Sequence, residues 1–192
     1  MCKFLHKFKR KNEGAVAIEF AILAIPFLMV LFSIIEASML FFFSSTTERA
    51  LAEVSRKIKT GEFQETGGKA PDFKKALCKK MAFMGGTDCA SSVRVDVVST
   101  PTGQFKNLKL PSFPAKCSGT PEQIKVCKAK PPDPSKVNSK WSTTNGGDVV
   151  IVRVQYVYKL LIPAAINRLA NAGGNTHVIT KTTAFRNEPF NH

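Results

Sequence analysis

Near the N-terminus, an acid and a glycyl bond have the spacing to do chemistry together. The chain reads Lys9-Arg10-Lys11-Asn12-Glu13-Gly14, then Ala15-Val16-Ala17-Ile18-Glu19-Phe20. A protease that draws its substrate out extended gains from a residue without Cβ at the scissile bond, so the Gly14–Ala15 bond is a candidate cleavage site (as substrate, not as catalyst). Cleavage there gives Ala15 a free α-amine, with an ordinary pKa of about 8 and so mostly cationic at neutral pH. Glu19, five residues after Gly14, is the natural counter-charge, supplied to the amine of the next subunit. The bland alternative is that Gly14 is only a flexible joint and that Glu19 snorkels to the membrane interface, where its cost falls.

These residues open an apolar run from Phe20 to Phe43, interrupted only by Ser33, Glu36 and Ser38. As a helix it would be about 36 Å long, enough to cross a bilayer. An acid near mid-membrane costs roughly 2.5–3.5 kcal/mol on insertion scales, so an acid in such a run needs a partner or a role. Ser33 precedes Glu36 by less than one turn, which predicts a local hydrogen bond or a helix–helix contact; a neutral Glu36 facing headgroups is the other reading. The run is long for a secretory signal, whose apolar core has about 7–15 residues, although Ala50-Leu51-Ala52 has the small-residue pattern of a signal-peptidase site.

The junction resembles that of type IV prepilins. More narrowly, Glu13-Gly14-Ala15-Val16-Ala17-Ile18-Glu19-Phe20-Ala21, then Ile25-Pro26, then Ile34-Ile35-Glu36, is similar to the TadE family of pilin-like proteins, which serve tight-adherence (Flp-type) pili. Glu36 matches that family's second acid. The segment Val150-Ile151-Val152-Arg153-Val154 with Leu161-Ile162-Pro163, and the ending Phe185-Arg186-Asn187-Glu188-Pro189-Phe190, also look like the family's C-termini; roughly 61–147 carries no resemblance. Many type IV pilins begin with phenylalanine, whereas this mature chain would begin with Ala15. The resemblance implies a prepilin peptidase as processing enzyme. It also implies other pilin-like subunits and the pilus assembly machinery as partners.

Charge and histidine placement narrow the function classes. The chain carries 28 Lys/Arg against 14 Asp/Glu. Removing residues 1–14, with five basic side chains and one acid, leaves 23 against 13. That balance suits an anionic membrane surface or acidic partners. No recognition helix, zinc finger or aromatic RNA-binding motif accompanies it, so nucleic acid is not an expected partner. His6, His177 and His192 are scattered, and there is no phosphate loop, metal-spaced His pair or serine elbow. The chain reads as a non-enzyme without cofactor or metal.

Cys2 stands alone in the leader, while Cys78, Cys89, Cys117 and Cys127 all follow the span. Four cysteines allow three pairings. Cys78–Cys89 with Cys117–Cys127 closes two short loops and suits an oxidising periplasm. Paired zinc ligands are usually two to four residues apart, far closer than these. Reduced, buried thiols are the remaining reading.

The expected organisation is a basic leader (1–14), a transmembrane and stem helix (15–60), and a periplasmic domain (61–192) with a Pro/Lys-rich loop at 101–147. The stem half of the first helix is amphipathic, with Leu51, Val54 and Ile58 on one face and Arg49/Glu53 and Glu53/Lys57 at i,i+4. Pro26 marks a possible kink. Pro71 to Met84 predicts a second helix, capped by Asp72 and striped by Phe73, Leu77, Met81 and Met84. Strands are predicted at 93–97, at 149–161 (central, since both faces carry Val or Ile) and at 177–185, with a short helix from Pro163 to Gly173-Gly174. Seven of the 11 prolines lie between Pro101 and Pro134, where a loop needs a staple or a partner. The fold class is α+β: a long N-terminal helix, then a small antiparallel sheet of about three strands with short helices.

Taken together, the sequence reads as a pilin-like structural and assembly subunit of the bacterial inner membrane, single-pass, with its C-terminal domain periplasmic or carried into the pilus at the cell surface. Two alternatives belong to other classes: an uncleaved single-pass binding module, and a secreted disulfide protein cut near residue 52.

Overall fold

A computed structural model describes residues 13–81, 89–101, 104–107, 120–122, 139–162, 169–172 and 175–190. Helix α1 runs from Glu13 to Lys59 without a break at Pro26. Short helices α2 (Glu62–Glu65), α3 (Ala70–Lys80) and α4 (Cys89–Ser92) follow. Then come strand β1 (Val93–Thr100), a 3₁₀ turn at Phe105–Asn107, β2 (Val149–Lys159) and β3 (Thr176–Arg186). The three strands form one antiparallel sheet in the order β1-β2-β3. The architecture is α+β, as the sequence predicts, with β2 central.

The chain divides into two compact units, Met1–Met39 and Leu40–His192. In the second, the stem half of α1 buries Phe43, Thr47, Ala50, Leu51, Val54 and Ile58, one face of the helix. Facing it in the core are Val93, Val95 and Val97 of β1 and Val150, Val152, Val154, Tyr156 and Tyr158 of β2. Phe43 packs on the Tyr158 ring at 4.7 Å between centroids. The α3 stripe, Phe73, Leu77 and Met81, is wholly buried; each such side chain contributes roughly 1.5–3 kcal/mol by leaving water. Phe63, Phe73 and Trp141 meet ring to ring beside it.

Helix ends follow local chemistry. Arg56, Lys57 and Lys59 complement the negative end of α1. Gly61, at φ 83°, turns the chain left-handed, and a Cβ there would meet the Phe190 ring at 2.8 Å. Gly67, at φ 64°, closes α2 in a Schellman motif: its N–H donates to Gln64 O at 2.9 Å, and that of Gly68 to Phe63 O at 3.0 Å. At the start of α3, Asp72 acts three residues in from the cap, accepting the Lys69 N–H at 2.9 Å. The expectation that Asp72 is the cap residue itself is therefore displaced by three positions, because the helix begins at Ala70, ahead of Pro71.

Two expected intrahelical ion pairs give way to tertiary ones. Glu53 pairs with Lys80 at the end of α3, and Lys57 with Glu62 at 2.6 Å. Lys181 of β3 donates to Glu48 at 2.8 Å, and that hydrogen bond and charge hold the Glu48 carboxyl below its usual range. The C-terminal segment ties the top of the stem to the turn before β2. Glu188 N–H donates to Lys59 O at 2.9 Å, Asn187 N–H to Asp148 O at 2.8 Å, and Asn187 Nδ2 to Asn145 O at 2.9 Å.

Cys78 and Cys89 form a disulfide with Cα atoms 5.8 Å apart, joining α3 to α4 beside the core. Cys117 and Cys127, Met84 with Gly85-Gly86, the predicted helix after Pro163, and most of the Pro/Lys-rich loop lie outside the described residues. Closing a loop of this length is worth about 3 kcal/mol by the chain-entropy relation. Replacing both Cys78 and Cys89 by Ser should therefore lower unfolding free energy by roughly 2–3 kcal/mol, read from denaturant melts of the full chain in detergent; an unchanged midpoint would show that the link adds no stability.

Candidate functional site

The candidate site is the N-terminal half of α1, built as the sequence dictates. Ala, Ile, Leu and Phe propagate a helix without side-chain competition for the backbone. Ser33 and Ser38, which do compete, are absorbed into it: Ser33 Oγ donates to Met29 O at 2.7 Å and Ser38 Oγ to Ile34 O at 2.8 Å. The Ser33 proton therefore goes back one turn to the backbone.

Gly14 and Ala15 lie in the first turn of α1. The first N–H groups of a helix have no intrahelical acceptor, and glycine weakens a helix by roughly 0.5–1 kcal/mol relative to alanine. Opening the helix into an extended form therefore costs least at this end. Glu19, one turn further, is exposed, as are Val16, Ile18, Phe20, Ile22, Leu23, Ile25 and Phe27 around it.

The second acid differs. Glu36 is only 1% exposed. It continues the buried stripe of α1 towards the N-terminus, falling at the i, i+4, i+7 spacing with Leu40 and Phe43. Seventeen residues at 100° each put Glu19 and Glu36 roughly a quarter-turn apart. The two carboxylates thus address different surroundings rather than forming one acid pair.

Val16–Lys59 is a helix long and apolar enough to cross a membrane, and none of its most apolar 18-residue window is buried. The core helix of a soluble protein would show the opposite. Among the described residues no group of three or more His, Cys, Asp and Glu could hold a metal ion. His177 Nδ1 donates to Leu169 O at 2.6 Å, and Asn171 Nδ2 approaches Nε2 at 3.4 Å, so the ring serves the turn before β3. A cavity of about 500 Å³ is lined by Ile58, Phe63, Val97 and Trp141 together with polar residues that include Gln64, Thr144 and Asn145.

Sequence reasoning missed one charged centre. Asp96 on β1 is fully buried and accepts four hydrogen bonds. Arg94 Nε and Nη2 donate to its Oδ1 at 3.2 and 3.1 Å, the Lys140 backbone N–H to the same atom at 3.0 Å, and Arg153 Nη2 to Oδ2 at 2.6 Å. Lys74 stands nearby, its pKa pushed down by burial and by the Arg94 charge, with Asp96 opposing. The strand register, Asp96 opposite Arg153, is the signal that would have found it.

Fold and site together define a class: one apolar N-terminal helix that continues as the core helix of a small α+β unit. Residues 14–56 match the family described as TadE-like protein. The match takes in Gly14, the whole apolar run and most of the stem, under a quarter of the 192 residues. That family is one of structural pilus components. No curated protein and no solved structure matches the chain.

Proposed function

We propose that the chain is a pilin-like structural and assembly subunit of a tight-adherence (Flp-type) pilus. It inserts in the inner membrane with residues 1–14 inside and the domain (61–192) in the periplasm. A prepilin peptidase removes Met1 to Gly14, and the mature helix (15–60) associates with other pilin-like subunits and the assembly machinery through Glu19. The observation that carries this reading is the coincidence of Gly14, Glu19 and an exposed apolar helix in the segment that matches the TadE-like family. The Cys78–Cys89 disulfide is in keeping with a periplasmic location.

The geometry weighs against cleavage near Ala52. A cut there would strip Phe43, Ala50 and Leu51 from the core they help to form. An uncleaved binding module keeps the whole helix and is the alternative that the fold tolerates.

Intact mass of the purified protein tests the reading. A chain beginning at Ala15 is expected, and Gly14→Leu should keep all 14 leader residues by obstructing the scissile position. A wild-type chain that retains its leader in cells with an active prepilin peptidase would make this an unprocessed membrane protein. A new terminus near Glu53 would make it a secreted one.

A further inference from the structure

Within the second compact unit, the strands have a direction relative to the stem half of α1 (residues 40–59). At the top of the stem, Lys59 O accepts from Glu188, two residues beyond β3. Midway, Glu48 pairs with Lys181, which lies opposite Val154 of β2. At the bottom, Phe43 stacks on Tyr156 and meets Tyr158 at a tilt. Strand β2 therefore runs back along α1, so its C-terminal end lies beside the residues that close the apolar run.

The chain then does something unusual for a buried strand. Leu160 is buried and held in place: its N–H donates to Asn175 O at 2.9 Å, and Asn175 Nδ2 donates to its carbonyl at 3.0 Å. Leu161, the next residue, is 76% exposed. It lies three residues past Tyr158, on the order of 10 Å of extended chain. Phe41 and Phe42 expose their rings at the same end of the unit. A single exposed leucine on a soluble surface needs no explanation. One that directly follows an anchored Leu160, at the end of the unit where residues 40–43 lie, does.

We propose that the Leu160–Ile162 turn is a second membrane contact: Leu161 inserts in the boundary between headgroups and acyl chains while Lys159, exposed beside it, faces the lipid phosphates. An apolar side chain enters that boundary by some 5–10 Å, and cations gain beside anionic headgroups. The inference rests on reading the apolar run as a membrane span.

Tryptophan quenching in the full chain tests it. With Trp141→Phe as background, single tryptophans are placed by Leu161→Trp, by Phe27→Trp in the span, and by Thr182→Trp on the exposed face of β3. Each chain is reconstituted into phosphatidylcholine–phosphatidylglycerol vesicles with brominated acyl chains. Expected are strong quenching at 27, intermediate quenching at 161 and little at 182. If 27 is quenched and 161 behaves like 182, the turn does not touch lipid, although the span stands. If 161 is shielded from both bromolipid and aqueous iodide, protein covers it, and the inference is overturned. If 27 itself is not quenched, the span reading fails first. Should Trp141→Phe not fold, the same comparison is made with Trp141 retained, as the difference from the parent chain.

Discussion

Asp96→Ala is expected to cost the α+β unit about 3–5 kcal/mol, the range measured when one partner of a buried ion pair is removed. The carboxylate is fully buried and receives Arg94, Arg153 and a backbone N–H from the segment at Lys140. Without it, the Arg153 cation stays buried with no acid, and its Nε already has no partner among the described residues. Domains of this size are stable by only about 5–15 kcal/mol, so the variant should melt far below wild type or be degraded in cells. The loss comes from an unpaired charge rather than from lost packing, and a second variant separates the two. Asp96→Ala combined with Arg153→Met removes one of the two cations that face the lost acid and should recover part of the deficit, since a buried pair can often be replaced by apolar groups at little cost. Thermal melts of the full chain in detergent give both values. A double variant no more stable than the single one would mean that Asp96 acts mainly through Arg94 and the Lys140 segment.

The Asp96 centre also shows where a sequence stops being legible. Val93-Arg94-Val95-Asp96-Val97 alternates, and alternation in a strand reads as one buried and one wet face. Here both faces are buried, and on the polar face Arg94 and Arg153 pair with Asp96. Nothing local to Asp96 announces Arg153, which is 57 residues away. The three strands themselves were legible to within a few residues, since runs of Val and Ile leave few other options. So was the α3 stripe, whose spacing demands a helix with one apolar face. The ion pairs of the stem were not: Glu53 has good partners one turn away in either direction, yet turns to Lys80, brought up by the fold. Leu161 reads naturally as the last residue of a strand, whereas β2 ends at Lys159 and the leucine is turned outward.

In the first compact unit, Glu19→Val should abolish assembly while leaving insertion intact. The substitution removes an acid that costs roughly 2.5–3.5 kcal/mol near mid-membrane, so the span partitions into lipid at least as well as before. Fractionation should still find the chain in the membrane. What should be lost is association: co-purification with other pilin-like subunits and the number of pili on the cell. Pilus numbers unchanged from wild type would sink the pairing role, since no increase in apolarity can replace a counter-charge.

The identity of the counter-charge follows from a double-mutant cycle. If Glu19 acts by neutralising the Ala15 α-amine, the carboxylate has no partner until Gly14–Ala15 is cut. In an uncleaved Gly14→Leu chain, adding Glu19→Val should then cause no further loss of subunit association. Additive losses would mean that Glu19 serves some other group. The single variants cannot make this distinction, because each removes one side of the same pair. Their non-additivity is the signature of a charge created by proteolysis and consumed by assembly.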